Sequence, residues 1–168
     1  MKNYFKTIYL IPVFLILANS CNYYNGKFRK IEEDSFDISL PDWLEETDDL
    51  APHAFYQFKS RYRNTYGIIV KDKIEGKSLK AYQQEGTAVL RNFNEITNLL
   101  AIDSNFKENH IEVQFMGDMD SEKIFYWHNT YEGQKYYYQL VMWTRSYDRK
   151  QKYSDAIEEI ISSFKIKD

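Results

Sequence analysis

The chain has 168 residues, room for one compact domain and little for two. Its 22 basic and 25 acidic side chains leave a net charge of −3, and 43% of residues are hydrophobic. That balance excludes an intrinsically disordered chain and a polybasic nucleic-acid binder. With 6 glycines and 3 prolines there is no glycine-rich phosphate loop, while 17% of residues are aromatic.

Residues 1–6 carry two lysines and no acid, and residues 7–18 form an apolar run followed by Asn19, Ser20 and Cys21. A membrane-spanning helix takes about 20 apolar residues, more than this run supplies. A charged start, a short apolar middle and small residues at the end form a secretory signal peptide, assigned to residues 1–20. Cys21 is the sole cysteine. The arrangement resembles the lipobox of bacterial lipoproteins, in which cleavage precedes a cysteine that receives a diacylglyceryl group and an acyl chain such as palmitate. Ala18 stands where that motif usually has leucine. Several acyl chains together give stable anchoring. Cleavage before Cys21 leaves 148 residues and, without Lys2 and Lys6, a net charge of −5. No internal disulfide is possible, so a packed core must hold the domain.

Residues 21–34 read as the lipidated cysteine and a polar, flexible tether, and residues 35–168 as one domain. Phe36, Ile38 and Leu40 alternate with polar residues up to Pro41, the pattern of a half-buried strand. Residues 54–59 and 65–73 read as a strand pair joined by a polar loop. Ser78 is a helix N-cap, followed at helical spacing by Leu79, Tyr82, Gly86, Val89, Leu90, Phe93 and Ile96. Gly86 on that stripe implies close approach of the helix to a sheet. Residues 111–116 and 123–131 read as strands around a turn, and residues 134–145 as a longer strand after a Glu132-Gly133 turn. Tyr153, Ala156, Ile157, Ile160, Ile161 and Phe164 then mark a second amphipathic helix. The order β-β-β-α-β-β-β-α predicts an α+β fold, an antiparallel sheet flanked by helices.

Phe36-x-Ile38-x-Leu40-Pro41-x-Trp43, a central helix, an aromatic hairpin and Ile157-x-x-Ile160-Ile161-Ser162-Ser163-Phe164-Lys165 together resemble PsbP-like domains. These include extrinsic subunits of photosystem II, a nuclear import factor that binds Ran, and small bacterial envelope lipoproteins. The resemblance covers residues 35–166 and implies an αβα sandwich with an antiparallel sheet. It implies no reaction, because its motifs mark fold.

Chemistry-bearing residues are sparse. His53, His110 and His128 show no zinc-binding spacing, and no nucleophile elbow is present. The acidic stretches 45–49 and 117–122 lack a full calcium-loop pattern and read as solvated loops. No metal, cofactor or catalytic residue is therefore expected. The aromatic hairpin is the distinctive feature. A two-residue turn at Glu132-Gly133 faces Trp127 with Tyr138 and Phe125 with Leu140, a core face. The opposite face carries Tyr126, His128, Tyr137, Gln139 and Trp143, the mixture of aromatic and polar groups found at interfaces. Either it is a ligand- or partner-binding surface, in which case its rings stay exposed, or it is a second core layer beneath a helix.

These readings predict a non-enzymatic envelope lipoprotein. It would be tethered to the membrane at Cys21, on the periplasmic side of an outer membrane, and would bind another envelope protein. The alternative is a carbohydrate or small-ligand binder using the hairpin aromatics; a hydrolase is a third reading.

Overall fold

The structure is a computed structural model that describes residues 26–93 and 96–167. The signal peptide expected at residues 1–20, Cys21 and the start of the expected tether lie outside the described residues. Among the described residues, ten strands and two helices follow in chain order. They are β1 (Phe28–Glu32), β2 (Phe36–Pro41), β3 (Glu45–Glu46), β4 (Tyr56–Ser60), β5 (Thr65–Lys73), α1 (Leu79–Phe93), β6 (Thr97–Phe106), β7 (His110–Met119), β8 (Glu122–Glu132), β9 (Tyr136–Arg145), α2 (Tyr147–Ser163) and β10 (Lys165–Ile166).

Seven strands form one sheet in the order β3-β4-β5-β9-β8-β7-β6, every pair antiparallel. β1, β2 and β10 form a small second sheet. Helix α1 covers one face of the large sheet, enclosing Tyr82, Leu90, Val113, Phe115, Tyr126 and Val141. Helix α2 and the small sheet cover the other, enclosing Phe36, Leu40, Phe125, Trp127, Leu140, Ile157 and Ile160. Each such fully buried aliphatic side chain is worth about 1.5–3 kcal/mol relative to exposure. The α+β class and the flanked antiparallel sheet are as the sequence predicts.

Local signals explain much of this. Ser78 Oγ accepts from Ala81 N at 3.2 Å and starts α1. A Cβ on Gly86 would collide with the buried Gln139 amide, so this residue is what lets α1 lie against β9. Asp120 and Ser121, at φ 50° and 66°, make the left-handed turn between β7 and β8. β7 alternates buried and half-buried positions, as a strand with one main core face does. β8 and β9, central and covered on both faces, are buried almost continuously.

Three expectations need correction. Residues 28–32, assigned to the tether, are β1, hydrogen-bonded to β2 from Phe28 opposite Pro41 to Glu32 opposite Asp37. The order lacks β3, β6 and β10 as well, short or edge strands whose exposed residues do not alternate. The turn of the aromatic hairpin is Gln134-Lys135, closed by Gly133 N donating to Tyr136 O at 2.9 Å, rather than Glu132-Gly133. Trp127 therefore faces Met142, and Tyr138 faces Tyr131. The slip is of four residues, an even number, so each side chain keeps its expected face.

Candidate functional site

The hairpin face beneath α1 is a core layer. Tyr126, His128, Tyr137 and Gln139 are all buried, which of the two readings of this face fits the second core layer beneath a helix and not an exposed recognition surface. The physical reason is α1 itself. Tyr82 from the helix stacks on Tyr137 at 4.8 Å, and Tyr137 donates its hydroxyl to Lys77 O at 2.5 Å, just ahead of the helix. Tyr82 in turn donates to Asp72 Oδ2 at 2.5 Å; burial, then this carboxylate, pushes its pKa upward. His128 lies under Thr87 of α1, its Nδ1 3.4 Å from the hydroxyl, and burial lowers its pKa to about 4. A neutral imidazole enclosed in this way packs; it has no open side for a substrate. Trp143 is half-buried, its ring between Tyr66 at 5.5 Å and Tyr126 at 6.0 Å, in register across β5, β9 and β8.

Three surface features remain. An apolar groove of about 350 Å³ runs between α1, β9 and residues 50–54, with Val89, Leu90, Val141 and Trp143 among its walls and the Gln139 side chain at its base. Of the five residues singled out from sequence, Gln139 and Trp143 border this groove; Tyr126, His128 and Tyr137 do not. On the opposite face a cleft of about 540 Å³ opens between β7, β8 and the end of α2. Its wall is a set of cross-strand pairs: His110 with Tyr131, Glu112 with Asn129 and Gln114 with Trp127. His110 stacks on Tyr131 at 4.0 Å and lies 3.3 Å from Asn129 Oδ1 through Nε2. Burial, the leading influence, holds the His110 pKa below its usual value. Sequence reasoning placed this face in the core and passed over the cleft. The available signal was Asn129, a polar residue at an alternating position between Trp127 and Tyr131.

The third feature is the edge of the large sheet at β6. Among the described residues this ten-residue strand pairs only with β7, and its Leu100, Ile102 and Phe106 are 60%, 42% and 61% exposed. The acidic stretches are balanced by cations: Asp49 pairs with Lys59 and Arg61, and Asp118 with Lys123 at 2.7 Å. Among the described residues no three His, Cys, Asp or Glu side chains converge as metal ligands. No described helix is long and apolar enough to cross a membrane.

No family model matches the sequence, and no curated protein matches it. Solved structures do match. Cyanobacterial PsbP (CyanoP) from Synechocystis has a TM-score of 0.61 at 7% identity, covering 84% of this chain and 94% of its own. The Ran-binding protein Mog1p of Saccharomyces cerevisiae has 0.62 at 9% identity, covering 84% and 96%. LpqN of Mycobacterium tuberculosis, involved in cell envelope biogenesis, has 0.57 at 11% identity, covering 84% and 91%. Identities this low speak for architecture alone. The chain has the PsbP-like fold.

Proposed function

We propose that this protein is a membrane-tethered envelope lipoprotein that works as a non-enzymatic binding or assembly module, docking a partner protein along β6. The observation that carries the reading is the outer edge of that strand, which no other described strand covers. Along these ten residues, alternate positions turn their backbone donors and acceptors away from β7, with Leu100, Ile102 and Phe106 exposed beside them and Asp103 as the only charged residue of the strand. Edge strands that stay solitary are usually short, bulged or guarded by lysine or proline; β6 is long and has neither residue, and its two register shifts leave the stretch from Asp103 to Phe106 in regular register with β7. An extended partner segment added there gains main-chain hydrogen bonds and apolar contacts together.

The neighbours support the same class: Mog1p binds Ran, and LpqN is involved in cell envelope biogenesis. The leader and Cys21 supply the tether, and the periplasmic side of an outer membrane is its proposed location. The test is crosslinking in intact membranes with the full chain and a Leu100→Lys, Ile102→Lys variant. Both positions are exposed, so the variant is expected to melt with the wild type. It should lose the protein crosslinked by the wild type. Equal recovery of that protein by both chains would refute docking at β6. Cys21→Ser should abolish incorporation of labelled palmitate and release the chain from membranes; unchanged labelling would refute the anchor.

A further inference from the structure

The β6 edge has a trough beside it. It lies on the side of the sheet that α1 covers and encloses about 420 Å³. Its floor is Val113 and Phe115 of β7, both buried, which pair across the ladder with Ser104 and Ala101 of β6. Ala101 and Ser104 are small, so β6 raises no wall in front of that apolar floor. Gln84, Ala88 and Arg91 of α1 border the trough from above, spaced four and three residues apart along one stripe of the helix. Ala88, Arg91, Ala101 and Phe106 are all exposed, so the trough is reached directly from solvent. Arg91 is the one charged residue of the lining.

The position of the trough defines its occupant. A segment added to the outer edge of β6 is extended, and its side chains point alternately to the two faces of the sheet. Every second one therefore rises on the α1 side, beside Ala101 and Ser104. On the other side Asp103 and Asn105 pair with Gln114 and Glu112, polar and acidic neighbours that offer no apolar seat. Main-chain bonds to β6 are blind to sequence, so the choice of partner falls to this one pocket. We infer that the trough is the specificity pocket of the β6 edge, and that it selects an extended peptide carrying a large apolar residue and, two positions away, an aspartate or glutamate. The apolar side chain covers Val113 and Phe115, and the carboxylate meets Arg91. This inference rests on docking at β6 and names the chemistry of the docked segment.

The test is selection of phage-displayed random peptides on the full chain immobilised in detergent. The wild type should enrich peptides with an apolar residue and an acid at that spacing. Arg91→Glu should exchange the preferred acid for a basic residue. Arg91→Gln should weaken a selected peptide about two- to fivefold, the worth of one exposed ion pair. Ala101→Trp fills the trough; it should remove the preference for a large apolar residue and weaken the same peptide about tenfold or more, the worth of one buried apolar side chain. Both positions are exposed, and melts matching the wild type confirm that the variants fold. The Leu100→Lys, Ile102→Lys variant probes the edge itself and should abolish enrichment. Peptides lost on that variant but indifferent to Arg91→Glu and Ala101→Trp would overturn the trough and leave β6 as the docking edge. Peptides that survive the double substitution, or no enrichment on the wild type, would overturn both.

Discussion

Acidification should weaken this fold before its carboxylates titrate, and His128 is the reason. The ring is fully buried, flanked on neighbouring strands by Val113 and Val141, and burial lowers its pKa from 6.5 to about 4. Between those values the unfolded chain takes up a proton that the folded chain refuses, so stability falls as pH falls. The contribution is fully retained above pH 6.5 and lost progressively on the way down to pH 4. The full shift corresponds to about 3 kcal/mol, with about 2 kcal/mol gone by pH 5. For a domain of this size each kcal/mol moves the melting temperature by about 3 °C, so the midpoint should drop by about 6 °C between pH 7 and pH 5 on this account. His110, also held low by burial, acts in the same direction. Asp37, Asp49 and Asp118, lowered chiefly by lysine partners, lose their stabilisation only at more acidic pH, as they protonate below their usual range. The assay is a set of thermal melts from pH 7.5 to 4.5 on the wild type and His128→Gln. Since His110 and the carboxylates persist in both, the difference between the curves isolates His128. The variant should be less stable at pH 7 and distinctly flatter toward pH 5. Parallel curves would refute the burial argument.

Other expectations follow from packing. Gly67→Ala places a methyl group inside the Phe58 ring, itself fully buried, and should cost about 1–3 kcal/mol in urea unfolding; most of the loss should vanish in a Phe58→Leu background. Tyr137→Ala removes a buried ring stacked on Tyr82 and should cost about 3–5 kcal/mol, whereas an exposed ring would leave the melt unchanged. Chelator treatment should leave the melting temperature where it was; a drop accompanied by released metal would refute the reading of the acidic stretches as solvated loops.

What could be read from sequence was set by how strongly each position is coupled to the core. Phe36, Ile38 and Leu40 announce β2 because one face is buried and the other is not. The two hairpin faces were legible for the same reason, although the turn was not. Glycine favours turns, but Gly133 sits in the pair that closes this one, and an even slip leaves the pleat unchanged. β6 gave no signal because two register shifts interrupt its pairing with β7 and both of its faces meet solvent. β1, Phe-Arg-Lys-Ile-Glu, is held by backbone pairing to β2 and has little burial to announce it. The choice between surface and core for Tyr126 and Tyr137 turned on where α1 lies, and side-chain spacing within the hairpin does not carry that information.

β1 also sets a distance. With a flexible tether running to residue 34, a lipid on Cys21 would let the domain wander about 45 Å from the bilayer, at about 3.5 Å per extended residue. Because pairing begins at Phe28 and Gly26 is already placed against Trp43, five residue steps separate Cys21 from the first placed residue. Covalent geometry limits five steps to about 18 Å. A chain anchored as proposed would be a short-leashed one: the small sheet would be kept close to the lipid headgroups, and whatever meets β6 would have to come to the membrane surface to do so.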